Sequence, residues 1–267
     1  FRGGRLGKVL FSGMLSNEGK TRNLMKLIAF ITLIKNEKFI LLSNEMDEED
    51  LISALITTVV NNKEFKSVHG IDIVKPEKEI VLGQYRDDKG NFITRATDEW
   101  GNFVEGEEEF INRVYKNSEE YRKILEIGKW IESKKDKQIF FKDVGMDYSD
   151  QTLCFEYEKH HIVHGVKYAG YDTLKGYTTD DWMSIKQTAT KLKELMKDLK
   201  MFMWAVFQMT DDSIFTDIFE LSSNNIANAK QIKHVIDYLM LCKRMPKDDY
   251  HKYQYYQYGW GEPVKKD

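Results

Sequence analysis

Residues 8–21, KVLFSGMLSNEGKT, constrain the fold of this chain more than any other stretch. An apolar run (Val9, Leu10, Phe11) enters a glycine-bearing loop that ends Gly19-Lys20-Thr21, and a helical pattern, TRNLMKLIAFITLI, starts at once. Strand, glycine loop, Lys-Thr and helix in that order form a phosphate-binding loop. The chemistry requires the order. Backbone N–H groups and the positive dipole end at a helix N-terminus attract phosphate oxygens. A lysine adds charge at the β- and γ-phosphates, and a threonine hydroxyl can ligate Mg²⁺. A nucleotide and Mg²⁺ are therefore the expected ligands, with Gly13, Ser16, Asn17, Glu18, Gly19, Lys20, Thr21 and Arg22 around the phosphates. The strict pattern, GxxxxGK followed by Ser or Thr, places its first glycine where this chain has Met14. The nearest is Gly13, which makes the expected loop one residue longer.

A chain of 267 residues buries a substantial core as one large domain carrying an insertion. Its 42% apolar and 31% charged content is that of a folded globular chain rather than a disordered one. The net charge of −3 excludes a chain that attracts nucleic acid through overall charge. Cys154 and Cys242 lie far apart, give neither a disulfide framework nor zinc spacing, and fit a reducing, cytoplasmic compartment. The longest apolar stretch, Leu27–Ile34, is too short to span a bilayer, so no membrane association is expected. The opening FRGGRLGK has no signal-peptide pattern and reads as mid-protein sequence.

The helix over 21–36 is apolar nearly all round, which predicts burial between a sheet and other helices. KFILLS (38–43) is a short continuous apolar strand of the parallel-sheet kind, and DEEDLISALITTVV after Asn44-Glu45-Met46 is a helix with an acidic first turn. Two βα units in succession predict an α/β fold with a mostly parallel central sheet flanked by helices. Residues 62–106 break the pattern. Alternating runs separated by DDKGN and DEWGN turns predict a β-hairpin insertion, peripheral over 83–104. Helix resumes over 107–133, followed by a strand at 138–144, a helix at 149–164 and a strand at 166–172 ending on Asp172. An amphipathic helix over 180–199, a strand at 201–208 ending on Gln208, a helical stretch at 224–235 and a strand at 237–244 complete the domain. The tail, 246–267, is polar and tyrosine-rich, and no internal repeat is evident.

Functional groups of a parallel sheet collect at the carboxyl ends of its strands. Here those ends carry Lys20 and Thr21, then Asn44 and Glu45, Asp172, Gln208, and Lys243 with Arg244. An aspartate after an apolar strand suits a Mg²⁺ shell, and a glutamate on the neighbouring strand suits a general base for water. A glutamine can sense the γ-phosphate, and an arginine can stabilise transition-state charge. Each residue alone is an ordinary turn or cap; the set together describes nucleotide hydrolysis.

Four segments in order resemble the RecA-like ATPase domain of DnaB-like replicative helicases: FILLSNEMDEEDL, VKYAGYDTLKG, LKELMKDLKMFMWAVFQMT and ANAKQIKHVIDYLMLCKR. The resemblance runs from Arg5 to about Arg244, apart from the insertion. It implies an ATP-hydrolysing helicase domain acting in a homo-oligomeric, usually hexameric ring, with single-stranded DNA through its centre, in a bacterial or phage replication setting. Carried over, Lys20 and Thr21 hold phosphate and Mg²⁺, Glu45 is the catalytic base, Asp172 the Walker B acid and Gln208 the link to a DNA loop. Arg244, with Lys243, reaches a neighbour's nucleotide. The family's final strand with its Lys/Arg pair has no match here, and its N-terminal domain is absent, which suggests a fragment. The segment after Gln208 also departs from the family: it carries Asp211, Asp212, Asp217 and Glu220 and no base, which weighs against translocation on DNA. A recombinase- or clock-protein-like ATPase, or a module whose nucleotide only controls assembly, is the alternative.

His160, His161 and His164 have no HExxH pattern or cysteine pair beside them and read as helix-end residues rather than metal ligands. Tyr250, Tyr253, Tyr255, Tyr256, Tyr258 and Trp260 read as a surface-lying or β-paired aromatic segment rather than a base-stacking platform. Lys191, Lys193, Lys197 and Lys200 read as a solvated helix face.

Overall fold

Six apolar runs form the strands of one sheet: β1 (Val9–Met14), β2 (Phe39–Ser43), β3 (Ile139–Asp143), β4 (Tyr168–Leu174), β5 (Phe202–Gln208) and β6 (Tyr238–Cys242). Their order is β3-β2-β4-β5-β1-β6, and every pairing is parallel. The computed structural model describes residues 4–16, 18–145, 149–174, 182–226 and 230–245, with a small antiparallel pair, β7 (Tyr255–Gln257) and β8 (Val264–Lys266). Parallel neighbours need long crossovers, and helices supply them. Helices α1 (Lys20–Ala29) and α2 (Glu48–Asn61) follow β1 and β2. Between α2 and β3 lie α3 (Lys63–His69), α4 (Glu77–Val81), α5 (Glu107–Asn117) and α6 (Glu119–Glu132). Then α7 (Asp150–His164) and α8 (Trp182–Asp198) follow β3 and β4. No helix among the described residues is long and apolar enough to cross a membrane.

Because helices cover both faces, a central strand must be apolar at every position. β1 and β2 are buried throughout. Along β2, Phe39 and Leu41 pack with α1, α2 and α6, while Ile40 and Leu42 pack with α7 and α8. Two cores on either side of one sheet result, and the strand carboxyl ends all open on one edge.

Several boundaries differ from expectation for local reasons. The first helix stops at Ala29 and gives way to one π-helical turn, Phe30–Ile34. The stretch 107–133 is two helices parted at Ser118, whose hydroxyl accepts from the Tyr121 amide at 3.3 Å and starts a new helix. The helical stretch near 224–235 is instead short 3₁₀ turns at Ser223–Asn225 and Lys230–His234.

The insertion differs most. It begins with α3 and α4, and its β-like part is two turns, each closed by a single bridge, Arg86 with Phe92 and Thr97 with Phe103. The turns are copies. Asp87 Oδ1 accepts from Lys89 N and Asn91 N, both at 2.9 Å. Asp98 Oδ1 accepts from Trp100 N and Asn102 N at 2.9 and 2.8 Å. Gly90 and Gly101 take φ of 86° and 84°, and Arg86 and Arg95 stack on Phe92 and Phe103. DDKGNF and DEWGNF are thus a short tandem repeat, which corrects the expectation of none. Turn residues recur too closely to leave arms for a hairpin ladder.

Up to Arg86 the insertion is anchored. Lys75 is fully buried, and its Nζ donates to Glu79 and Glu120 at 2.9 and 2.8 Å. Asn61 bonds both backbone polar groups of Lys75, and Arg86 donates to both Glu79 oxygens. A buried ammonium is tolerable only when paired in this way. The peripheral part therefore starts at Asp87, not at residue 83. Replacing 87–104 by a Gly/Ser link should leave the thermal midpoint nearly unchanged. Lys75→Met should cost roughly 3 kcal/mol, because Glu120 loses its ion-pair partner and Glu79 keeps only Arg86. Similar losses from both changes would show that the turns belong to the core.

Acid should loosen this region first. Arg86 and then Lys75 hold the Glu79 carboxyl at about 2, and Arg113 holds that of Glu105 at about 2, against an ordinary 4.5. Each folded value lies below the unfolded one, so the stabilisation is complete above pH 4.5 and is lost as pH falls toward 2. Pepsin cleavage within 79–106, relative to a control peptide, should set in across that window. Uniform resistance would refute the assignment.

Candidate active site

β1 runs on through Ser12 and Gly13 to Met14, so the loop occupies only Leu15 to Gly19. Asn17, expected at the phosphates, lies outside the described residues. Gly13, expected as the first loop glycine, stands in β1 between β5 and β6, paired in register with Phe207 and Leu241. A Cβ there would stand 2.5 Å from the Phe207 ring and 3.0 Å from Leu241, so its need for glycine is steric. Gly19 does act in the loop. It caps α1 with φ 93°, a left-handed conformation that strains other residues, and leaves the first helical amides open. Ser16, Glu18, Gly19, Lys20 and Thr21 all line one cleft of about 1110 Å³. Arg22 lines it too, but its guanidinium pairs with Glu77 of α4.

The second half of the cleft comes from distant strands. Thr21 Oγ1 donates to Asp172 Oδ2 at 2.6 Å, and Asp172 is fully buried. β4 continues past Asp172 to Leu174, so the aspartate lies inside the strand end, where the β4–β5 register shifts. Glu45 leaves β2 in a turn built by Ser43, whose hydroxyl accepts from the amides of Glu45 and Met46 at 3.3 and 3.1 Å. Asn44 clamps that turn to β4. It donates from Nδ2 to Thr173 O at 3.0 Å and accepts from Thr173 N at 2.9 Å, while its own amide donates to Asp172 O at 2.8 Å. This clamp fixes Glu45 relative to Asp172. Lys20 Nζ then lies 3.7 Å from Glu45 Oε2, with the lysine side chain almost fully buried.

Gln208 ends β5 opposite Met14 and lines the cleft. Arg244 lines it from the end of β6, and its amide donates to Glu18 Oε2 at 3.1 Å. Lys243 takes another course: its Nζ donates to the carbonyls of Ile214 and Thr216, the latter at 2.7 Å. Lys243 is thus engaged within its own chain, in the loop after Gln208, against the expectation that it reaches outward with Arg244.

The remaining candidates lie elsewhere. His160 Nδ1 and His161 Nδ1 lie 2.8 Å from the carbonyls of Glu156 and Val166, and the His164 ring packs on Phe140. Lys191 pairs with Asp150 at 3.0 Å, and Lys193 lies 3.7 Å from Asp237. The tail's aromatic side chains are outside the described residues. Sequence reasoning did not find the Asn44 clamp or Glu77. A Ser-Asn-Glu run after a strand is a turn signal that points to Ser43, but nothing near Glu77 marks it.

The cleft therefore gathers helix-terminal amides, a buried lysine, a hydroxyl–carboxylate pair and a second carboxylate at one sheet edge. No protein-family model matches the sequence, and neither does any curated protein. Among solved structures, the chain is similar to an ATPase domain at 15% identity and a TM-score of 0.63, over 92% of this chain and 72% of that one. It is also similar to a DnaB-like replicative helicase, described with its interactions with primase, at 15% identity and a TM-score of 0.55. That match covers 92% of this chain and 49% of the helicase, so the chain spans about half of it. At such identity the likeness establishes the architecture: an α/β domain with a six-stranded, all-parallel sheet flanked by helices, as in RecA-like ATPase domains.

Proposed function

We propose that the chain binds Mg²⁺ and ATP in this cleft and hydrolyses the ATP. The observation that carries the reading is the Thr21–Asp172 bond beside the Lys20–Glu45 pair, four side chains from three separate segments converging at one helix N-terminus. A hydroxyl and a carboxylate are hard oxygen donors and fit Mg²⁺, so Thr21 and Asp172 are the residues that would hold it. When bound, the ion would neutralise phosphate charge. Gly19 and the first amides of α1 cradle the phosphates, and Lys20 adds its charge there. Glu45, aimed by Ser43 and Asn44, orients the attacking water and takes its proton. Gln208 and Arg244 face the same space, where a glutamine can contact the γ-phosphate and a cation can stabilise developing charge.

The likeness to a DnaB-like helicase supports a finer reading, a homo-oligomeric, hexameric ring working on single-stranded DNA. The loop after Gln208 favours the alternative, an ATPase whose nucleotide governs assembly without unwinding. From 201 to 222 there is no Lys or Arg, Asp211, Asp212, Asp217 and Glu220 are present, and Phe215 is 89% exposed. A DNA backbone approaching that loop meets these carboxylates, with Lys243, held on the Ile214 and Thr216 carbonyls, as the cation beside them. ATP turnover with and without single-stranded DNA separates the readings. A rate raised by DNA, falling steeply with salt, supports the ring on DNA; a rate indifferent to DNA supports the assembly reading. No turnover in either condition refutes hydrolysis.

A further inference from the structure

One wall of the cleft is not explained by phosphate binding. Glu77, the first residue of α4, lines the same cavity as Lys20 and Arg244, and its carboxylate pairs with Arg22. An anion at the rim of a cleft that receives a polyphosphate opposes the ligand. Packing gives no reason for it, since the Glu77 side chain is 31% exposed and α4 is already secured through Glu79 to Lys75 and Arg86. Arg22 follows Lys20 and Thr21 on the first turn of α1, and its side chain is 67% exposed and long enough to turn toward the cleft. On the next turn Lys26 pairs with Glu64 of α3 at 3.5 Å, so two cations of α1 hold two acids of the insertion.

We propose that Glu77 is a positioning residue that competes with bound nucleotide for Arg22. This rests on the reading of the cleft as a nucleotide site. Without ligand, the Arg22–Glu77 pair ties α4 to the phosphate-loop helix. A bound polyphosphate draws the guanidinium away and releases the start of α4, so the insertion registers whether the cleft is filled.

The test is calorimetric titration with Mg²⁺ and ADP at low ionic strength, on the wild type, Glu77→Gln, Arg22→Gln and the double variant. Freed from Glu77, Arg22 should serve the phosphates, and Glu77→Gln should bind about three- to fivefold tighter, the range set by a partly exposed ion pair. Arg22→Gln should bind more weakly. In the Arg22→Gln background, Glu77→Gln should add nothing. A Glu77 effect that persists without Arg22 would reduce Glu77 to a distant repulsive charge and overturn the proposal, as would unchanged affinity in Glu77→Gln. Glu77→Asp provides a second route if the Gln variant folds poorly. It keeps the charge but shortens the reach, so it should also tighten binding, whereas simple repulsion predicts no change. Hydrogen exchange supplies the structural readout: the amides of Glu79 and Ile80, which bond to Pro76 O at the start of α4, should exchange faster with ADP bound in the wild type, and no change there refutes the release of that start. If the wild type binds no ADP, the nucleotide reading itself falls and takes this one with it. If it binds and the cycle is additive, only the competition for Arg22 falls.

Discussion

Glu45→Gln should keep nucleotide binding near that of the wild type while lowering ATP turnover by roughly a hundredfold or more, the effect of losing a general base. The geometry separates this residue from Lys20. Glu45 follows the end of β2 in a turn held by Ser43 and Asn44, and it lines the cleft. Glutamine keeps the size and much of the hydrogen bonding but cannot take a proton. Lys20 sits in the first turn of α1, almost fully buried, with its ammonium inside the cleft. It meets phosphate charge in ground and transition states alike, so Lys20→Ala should lose affinity and turnover together. Equilibrium binding of ADP alongside steady-state turnover distinguishes the two patterns. Near-normal turnover in Glu45→Gln would place the base elsewhere.

Gly13→Val should destabilise the domain by about 3 kcal/mol, at the upper end for overpacking. The new side chain would begin 2.5 Å from the Phe207 ring, which is itself buried in the core and has little room to turn aside. In a domain of this size that shifts the thermal midpoint by roughly 6–12 °C. ADP affinity of the protein that remains folded should hardly move, because Gly13 lies in β1 and not among the loop amides. Gly19→Ala should show the opposite emphasis. Gly19 adopts φ 93° where the phosphates would sit, so strain there disturbs the cradle before the core. A Gly13 variant of normal stability and weakened binding would restore that glycine to the phosphate loop.

The sequence by itself determined the class of fold and most strand and helix positions. β2 is expected at 38–43 and found at Phe39–Ser43; α7 is expected at 149–164 and found at Asp150–His164. These elements are legible because a strand covered on both faces must be apolar at each residue, and a helix carries its caps and period locally. The phosphate loop is legible for the same reason, since its strand, glycine and Lys-Thr are contiguous. Extent was less legible. Gly13 reads as loop because glycine signals a turn, and only the neighbouring Phe207 ring shows it to be a strand residue with no room for a side chain. The insertion's tandem turns were visible as turns but not as copies held by the same Asp and Gly geometry. Pairings across the chain were decided by tertiary structure alone. Thr21 meets Asp172 across 151 residues, Asn44 meets Thr173 across 129, and Arg22 meets Glu77 from another helix. Each partner is an ordinary polar residue in its own segment. Strand order brings β2 beside β4 and leaves β5 between β4 and β1, and this places the carboxylates around the phosphate loop. Local sequence does not encode that order, because it follows from how the two faces of the sheet share their helices.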